Sequence, residues 1–237
     1  LHLHPHWLDA IYKGNGFWDF SDFSHYSLSS LPEDTVTELF DEGTEFLTNI
    51  AKAVSYNYRV KAFRAGGWSI EPFSHLRKGL VKSGVYIDSS VIPGMIIRKD
   101  YYEVDFSKAP DLDYYFFSDC INDSSPNGEF CEVPITTYRL SKVRSIETRV
   151  DKCIHQSRYR RLTDGTHYVR EKNNANSRRI HDIFGPRVCT LNGMSKRTIK
   201  TVLQTSYHSL LVFSSHPKDY TSVVSGYIST VSECTNL

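Results

Sequence analysis

Three histidines at alternate positions open the chain, in the run Leu1-His2-Leu3-His4-Pro5-His6-Trp7. On an extended strand, alternate side chains share one face, so the three imidazoles are expected to point the same way. Imidazole is the commonest protein ligand for zinc, and side chains two residues apart on a strand lie roughly 6.6–6.8 Å apart, close enough to converge on one ion. His2 and His6 could share an ion only if the chain turns, which Pro5 favours. The run therefore predicts a divalent metal site, with zinc as the expected ion.

Reactive side chains also stand at the ends of other predicted strands. Arg64 lies just before two glycines, Asp88 is followed by two serines, and His216 follows a late apolar run. Because sites in parallel α/β proteins form where the carboxyl ends of strands meet, we expect the histidines, Arg64 and Asp88 to come together. Asp88 is a candidate contact for a substrate or a metal, and a helix cap at the end of its strand explains it equally well. Trp7 and Trp68 are candidates for walls of the pocket or for contacts with a substrate.

The positions of these residues depend on an alternation of strands and helices, which is typical of a parallel α/β fold. The segment 8–30 lacks periodicity and predicts a long loop, and the basic, polar segment 141–197 predicts an insertion in a single α/β domain spanning 1–237. An anionic substrate, such as a nucleotide-linked or lipid-phosphate-linked sugar, is a second explanation for the basic segment. The patterns predict helices at 31–54, 72–83, 198–204 and 220–231, and strands at 58–63, 84–90, 114–117, 132–137 and 207–213.

Composition limits the function classes. At 237 residues, the chain can bury one sizeable core or two small ones. The formal net charge of +1 gives no reason to expect nucleic acid or an acidic membrane as a partner. The five cysteines are odd in number and lack metal-knuckle spacing, which favours reduced thiols, the usual state in the cytoplasm. No stretch predicts a transmembrane segment. The chain opens inside a predicted strand, so we expect a preceding segment to be missing from this sequence.

Five segments in this order resemble the polysaccharide deacetylase superfamily, the NodB-homology carbohydrate esterases, and within it the divergent branch associated with O-antigen and surface polysaccharides. The resemblance implies a distorted (β/α) barrel that holds a divalent metal with one Asp and two His. It also implies removal of an N-acetyl group from a sugar or polysaccharide. The segments are the histidine run, Phe63-Arg64-Ala65-Gly66-Gly67-Trp68, Asp88-Ser89-Ser90-Val91-Ile92-Pro93-Gly94, Glu132-Val133-Pro134-Ile135-Thr136 and Ser214-Ser215-His216-Pro217-Lys218.

The resemblance assigns roles residue by residue. His2 and His6 match the HxxxH spacing of the family's metal ligands. The step from His4 to Pro5 matches the proline that usually follows the second histidine, so the ligating pair stays open. Arg64 matches the arginine that orients the catalytic aspartate, and His216 matches the late histidine that acts as general acid.

One departure from the family concerns its first motif, which carries the catalytic-base Asp and the metal-binding Asp and should precede the histidine strand. Either that part of the barrel is missing from this sequence, or the chain is a relative without the base. Leu3 also stands where the family has Ser or Thr. Two other classes stay open: a metal hydrolase of the amidohydrolase or PHP type, whose barrel begins with an HxH strand, and a non-catalytic carbohydrate-binding relative.

Overall fold

A computed structural model describes residues 1–160, 185–190, 194–216 and 220–221 of the chain. The chain divides into two compact units. The first unit comprises Leu1–Pro134, and the second begins at Ile135.

A five-stranded sheet forms the centre of the first unit. Its first four strands are parallel, and the last one runs antiparallel to its neighbour. The prediction of an α/β fold with a parallel sheet is confirmed. Within the described residues the sheet is not closed on itself, and the (β/α) barrel stays a prediction. In spatial order the strands are β1 (His2–Leu3), β4 (Ala62–Ala65), β5 (Ile87–Asp88), β9 (Phe130–Glu132) and β8 (Tyr115–Phe117).

Two helices connect the parallel strands, α1 (Glu33–Ala51) between β1 and β4 and α2 (Phe73–Lys82) between β4 and β5. Each helix begins directly after a proline, whose fixed φ suits a helix start. Both predicted helices are confirmed. The two helices pack closely, since a Cβ at Gly79 would lie only 2.8 Å from Cδ2 of Phe40.

Aromatic rings fill the interior of the first unit. Phe40 on α1 meets Phe63 on β4 with ring centroids 4.8 Å apart. Phe73 on α2 lies 4.7 Å from Phe117 and 4.8 Å from Phe130, edge to face in both cases. These side chains are almost completely buried, so the helices are fixed against the sheet through ring contacts.

Two antiparallel hairpins lie outside the central sheet. The first pairs β2 (Ile11–Gly14) with β3 (Phe17–Asp19), and the second pairs β6 (Ile96–Lys99) with β7 (Tyr102–Asp105). The prediction that residues 8–30 form one long loop was wrong. Asn15 and Gly16 both have positive φ, 52° and 80°, which is the turn that Asn-Gly favours between two strands.

The second unit contains two helices, α3 (Lys142–Ile154) and α4 (Lys196–Thr205), and a short ladder of β10 (Thr137–Tyr138) with β11 (Arg187–Val188). Serine side chains cap both helices: Ser141 accepts a hydrogen bond from the Arg144 amide, and Ser195 accepts one from the Thr198 amide. Helix α4 confirms the helix predicted at 198–204. A small core of this unit includes Cys189, Met194, Ile199 and Val202.

Two strand predictions fail near this unit. The strand predicted at 132–137 is divided between β9 and β10, which belong to different sheets, because Pro134 has no amide hydrogen to continue a ladder. The segment 207–213 forms no regular strand, although Val212 accepts a backbone hydrogen bond from Thr136. The helix predicted at 220–231 lies outside the described residues apart from its first two positions.

Candidate metal centre at the carboxyl edge of the sheet

The carboxyl ends of four parallel strands meet along one edge of the first unit. The strand register pairs His2 with Arg64, Phe63 with Asp88, and Asp88 with Glu132. His2 and Arg64 therefore lie side by side, and Asp88 and Glu132 lie in the neighbouring row with Phe63, one residue before Arg64.

The imidazoles of His2 and His4 form the centre of this edge. Nδ1 of His2 lies 2.8 Å from the carbonyl oxygen of Arg64, and because a carbonyl can only accept, Nδ1 must carry the hydrogen. The lone pair of His2 is then on Nε2, which lies 2.9 Å from Nε2 of His4. When the pair holds a proton between them, His4 donates it to His2; when that proton is displaced, both Nε2 atoms present lone pairs to one point. A histidine whose second nitrogen donates to a carbonyl is the usual arrangement of a metal ligand.

His6 is placed differently from the other two histidines. Its ring stacks on Tyr26, with centroids 5.1 Å apart, and meets His4 edge to face at 5.4 Å. Within the described ranges, no group of three or more His, Cys, Asp or Glu side chains is arranged to hold a metal ion. His2 and His4 thus fit zinc in donor type, and His2 also in tautomer; they would supply two of the four ligands that zinc usually takes.

The loop after β4 brings its backbone against the histidines. A Cβ at Gly66 would lie 2.5 Å from the carbonyl oxygen of Leu3 and 2.7 Å from Nδ1 of His4. A Cβ at Gly67, where φ is +60°, would lie 2.5 Å from the hydroxyl of Tyr26. Trp68 follows in a left-handed conformation that non-glycine residues rarely adopt. The absence of a side chain at Gly66 therefore allows the His4 ring to lie against this loop, and its absence at Gly67 makes room for Tyr26.

Arg64 links β4 to the end of β5. Its Nε donates to the carbonyl oxygen of Ser89 at 2.7 Å, and its second terminal nitrogen donates to the Ser89 hydroxyl at 2.8 Å. Burial lowers the pKa of Arg64, while the nearby Asp88 and Glu132 carboxyls oppose this shift. The side chain thus fixes the loop after β5, and its role in orienting a catalytic aspartate stays a prediction.

A buried pair of carboxyls, Asp88 and Glu132, lies behind this loop, 2% and 0% exposed respectively. Both Asp88 oxygens accept hydrogen bonds from Ser90, at 2.9 Å from its amide and 2.8 Å from its hydroxyl, and Glu132 Oε1 accepts one from the Val91 amide at 3.0 Å. Burial raises the pKa of both acids, and raises that of Glu132 well above its usual value. Among the described residues no donor reaches Glu132 Oε2, and the raised pKa of Glu132 beside the Asp88 carboxyl favours its protonated form.

The structure places Asp88 as the end cap of its strand, and its contact with a substrate stays a prediction. Glu132 was not singled out from the sequence. The signal available was a lone acid in the apolar run from Phe130 to Ile135, at a strand position with burial on both sides.

Aromatic side chains border the histidines. Trp7 is 63% exposed and stacks on His4 with ring centroids 5.6 Å apart, and Phe20 lies 6.0 Å from Trp7. Two residues before Phe20, Trp18 contacts Tyr12 across the first hairpin at 5.1 Å. Trp7 thus lies against the His4 imidazole, and Tyr12 and Trp18 form an exposed pair of rings on the first hairpin. Tyr12 and Trp18 were not predicted as candidates because the hairpin was not predicted.

His216 lies in the second unit, where its side chain is exposed. It ends an extended segment in which the Ser214 amide donates to the carbonyl of Cys189 at 2.9 Å. Its role as general acid stays a prediction.

The cysteines described by the structure, Cys120, Cys131, Cys153 and Cys189, are free thiols. None of the helices in the described ranges combines the length and the apolar character needed to cross a bilayer. Comparison of the chain with protein-family models, with curated proteins and with solved structures found no match.

Proposed function

We propose that this chain is a metal-dependent hydrolase that removes an N-acetyl group from a sugar or polysaccharide in surface-polysaccharide biosynthesis. The proposal includes the distorted (β/α) barrel of the polysaccharide deacetylase type. The observation that carries it is the His2–His4 pair, whose Nε2 atoms lie 2.9 Å apart at the carboxyl edge while Arg64 fixes the tautomer of His2.

Hydrolysis of an acetamide requires a polarised carbonyl, an activated water and a proton for the leaving amine. A divalent ion bound by imidazoles supplies the first two. The carbonyl of Arg64 keeps the hydrogen of His2 on Nδ1, and Gly66 keeps His4 beside it. In this proposal His216, assigned by the family resemblance alone, donates the proton to the amine, since imidazole titrates near neutral pH.

One observation favours a second candidate, a hydrolase of the amidohydrolase or PHP type. The pair in contact has the HxH spacing of His2 and His4, which is the spacing on the first strand of those barrels. The deacetylase resemblance leaves the second ligand open between His4 and His6. Both candidates bind a divalent ion with imidazoles and activate water, and they differ in their substrate.

Metal analysis and acetate release test these candidates together. The variants His2→Ala, His4→Ala and His6→Ala are compared with His155→Ala, a control histidine in the second unit. The deacetylase assignment predicts that wild type releases acetate from N-acetylated glycans, and that His2→Ala and one of His4→Ala and His6→Ala lose both the metal and this activity. The amidohydrolase or PHP assignment predicts metal loss in His2→Ala and His4→Ala without acetate release by wild type.

Two outcomes contradict the deacetylase proposal. Acetate release that is indifferent to a chelator and to His2→Ala would exclude metal-assisted hydrolysis at this edge. Binding of glycans with no acetate release by the metal-loaded full-length protein would assign the chain to the non-catalytic relatives.

A further inference from the structure

The net charge of the chain is near zero, but the charges are distributed unevenly between the two units. Residues 1–134 contain 11 Lys and Arg against 20 Asp and Glu, whereas residues 135–237 contain 17 against 7. In the described part of the second unit the imbalance is sharper, with 11 basic and 2 acidic residues. A basic unit of this kind attracts anionic partners, although the whole-chain charge predicts none.

Both acids in the described part of the second unit already have partners. Glu147 lies 3.5 Å from Arg144 and 3.8 Å from Arg197, and Asp151 lies 3.0 Å from His155. The described part of this unit therefore carries nine more basic than acidic residues.

The apolar face of α3 is exposed on the same unit. The helix has four branched aliphatic side chains at spacings of three and four residues, which place them on one stripe. All four are exposed: Val143 is 66%, Ile146 60%, Val150 49% and Ile154 70% exposed. The stripe forms one wall of a groove of about 970 Å³, and the other wall includes Lys196 and Arg197 at the start of α4.

We propose that α3 and the start of α4 form a membrane-docking surface for anionic lipids, with the aliphatic stripe entering the headgroup region and the cations contacting lipid phosphates. Basic amphipathic helices bind bilayer surfaces through this combination. A second copy of the chain fits less well, because two surfaces with such an excess of cations repel each other. A nucleic acid fits less well too, because it offers nothing to an aliphatic stripe. This inference is independent of the proposed hydrolase activity.

Co-sedimentation of the full chain with vesicles tests the proposal. Wild type should bind vesicles of phosphatidylcholine with phosphatidylglycerol, bind phosphatidylcholine alone poorly, and dissociate at high salt. The variant Arg149→Glu/Lys196→Glu should bind at least about 25-fold more weakly, at about fivefold per cation. Lys52→Glu/Lys61→Glu makes the same charge change on exposed lysines of the first unit and should bind as wild type does.

The stripe is tested separately by Ile146→Asp/Val150→Asp, with Ile50→Asp/Val54→Asp on exposed positions of the first unit as its control. The stripe variant should lose vesicle binding while its circular dichroism and Tm match those of the control. Equal vesicle binding by the stripe variant and its control overturns the proposal. So does a wild type that binds no vesicles because the rest of the chain covers the stripe. Displacement of the wild type from vesicles by inorganic phosphate overturns it too. Tighter binding to a single-stranded oligonucleotide that survives the stripe variant, or a dimer that the stripe variant dissociates, overturns it as well.

Discussion

Replacing Glu132 with Gln should change how the stability of the protein depends on pH. Burial, and after it the adjacent Asp88 carboxyl, raises the pKa of Glu132 well above the 4.5 of an exposed glutamate, which favours the protonated form in the folded chain. In the unfolded chain the side chain ionises near that value. Between the two pKa values unfolding releases a proton, so stability falls as pH rises; below the unfolded value, both states are protonated and Glu132 contributes no pH dependence.

The size of the change in stability follows from the release of one proton on unfolding. The free energy of unfolding should fall by up to about 1.4 kcal/mol per pH unit inside this window. In Glu132→Gln the amide NH₂ takes the place of the carboxyl hydrogen toward Asp88, and the amide oxygen can still accept from Val91, which now bonds to Oε1 at 3.0 Å. The variant should therefore gain stability relative to wild type as pH rises.

Denaturant unfolding at a series of pH values measures this difference. Glu45→Gln, an exposed substitution on α1, is the control and should follow wild type at every pH. If wild type and Glu132→Gln show parallel stability curves above pH 4.5, the proton is not on Glu132 and the description of the buried pair is incorrect.

Two further predictions concern the candidate metal centre and its surroundings. Gly66→Ala should weaken zinc binding, because its Cβ would lie 2.7 Å from Nδ1 of His4 and displace that ring. The expected loss of affinity is about 10–100-fold, the range measured when a group that supports a metal ligand is removed. Calorimetric titration with zinc measures this affinity. Trp18→Ala should weaken binding of an oligosaccharide while changing Tm little, because the Trp18 side chain is 43% exposed. Titration of the wild type and the variant with the glycan measures the affinity. An unchanged affinity would show that the hairpin is not part of the glycan-binding surface.

The helices of the first unit could be predicted because their signals are local. Pro32 and Pro72 mark the starts of α1 and α2. The apolar spacing matches the buried face of α1 only in its first half, where Val36 and Phe40 are buried; further along, the buried positions are Thr44 and Thr48. The meeting of His2 with Arg64 was also predictable, since parallel strands in α/β proteins bring their carboxyl ends to one edge.

Other features depended on information that single residues do not carry. The first hairpin was missed because Asn15-Gly16 was not used as a turn signal between Tyr12 and Trp18. The proton on Glu132 depends on which donors face each carboxyl oxygen after folding. The charge segregation became visible only when the boundary near Ile135 divided the chain.

The choice of metal ligands among the three histidines also depends on contacts that form only after folding. Their spacing allowed several ligand pairs, and nothing in the histidine run distinguishes them. The structure brings His2 and His4 into contact, and strand register orients His2: the pairing of β1 with β4 brings the Arg64 carbonyl to Nδ1 of His2. A register slip of one residue would turn His2 to the opposite face of the sheet and remove this acceptor. Whether the edge can hold a metal therefore depends on the parallel pairing of β1 with β4 as much as on the histidines themselves.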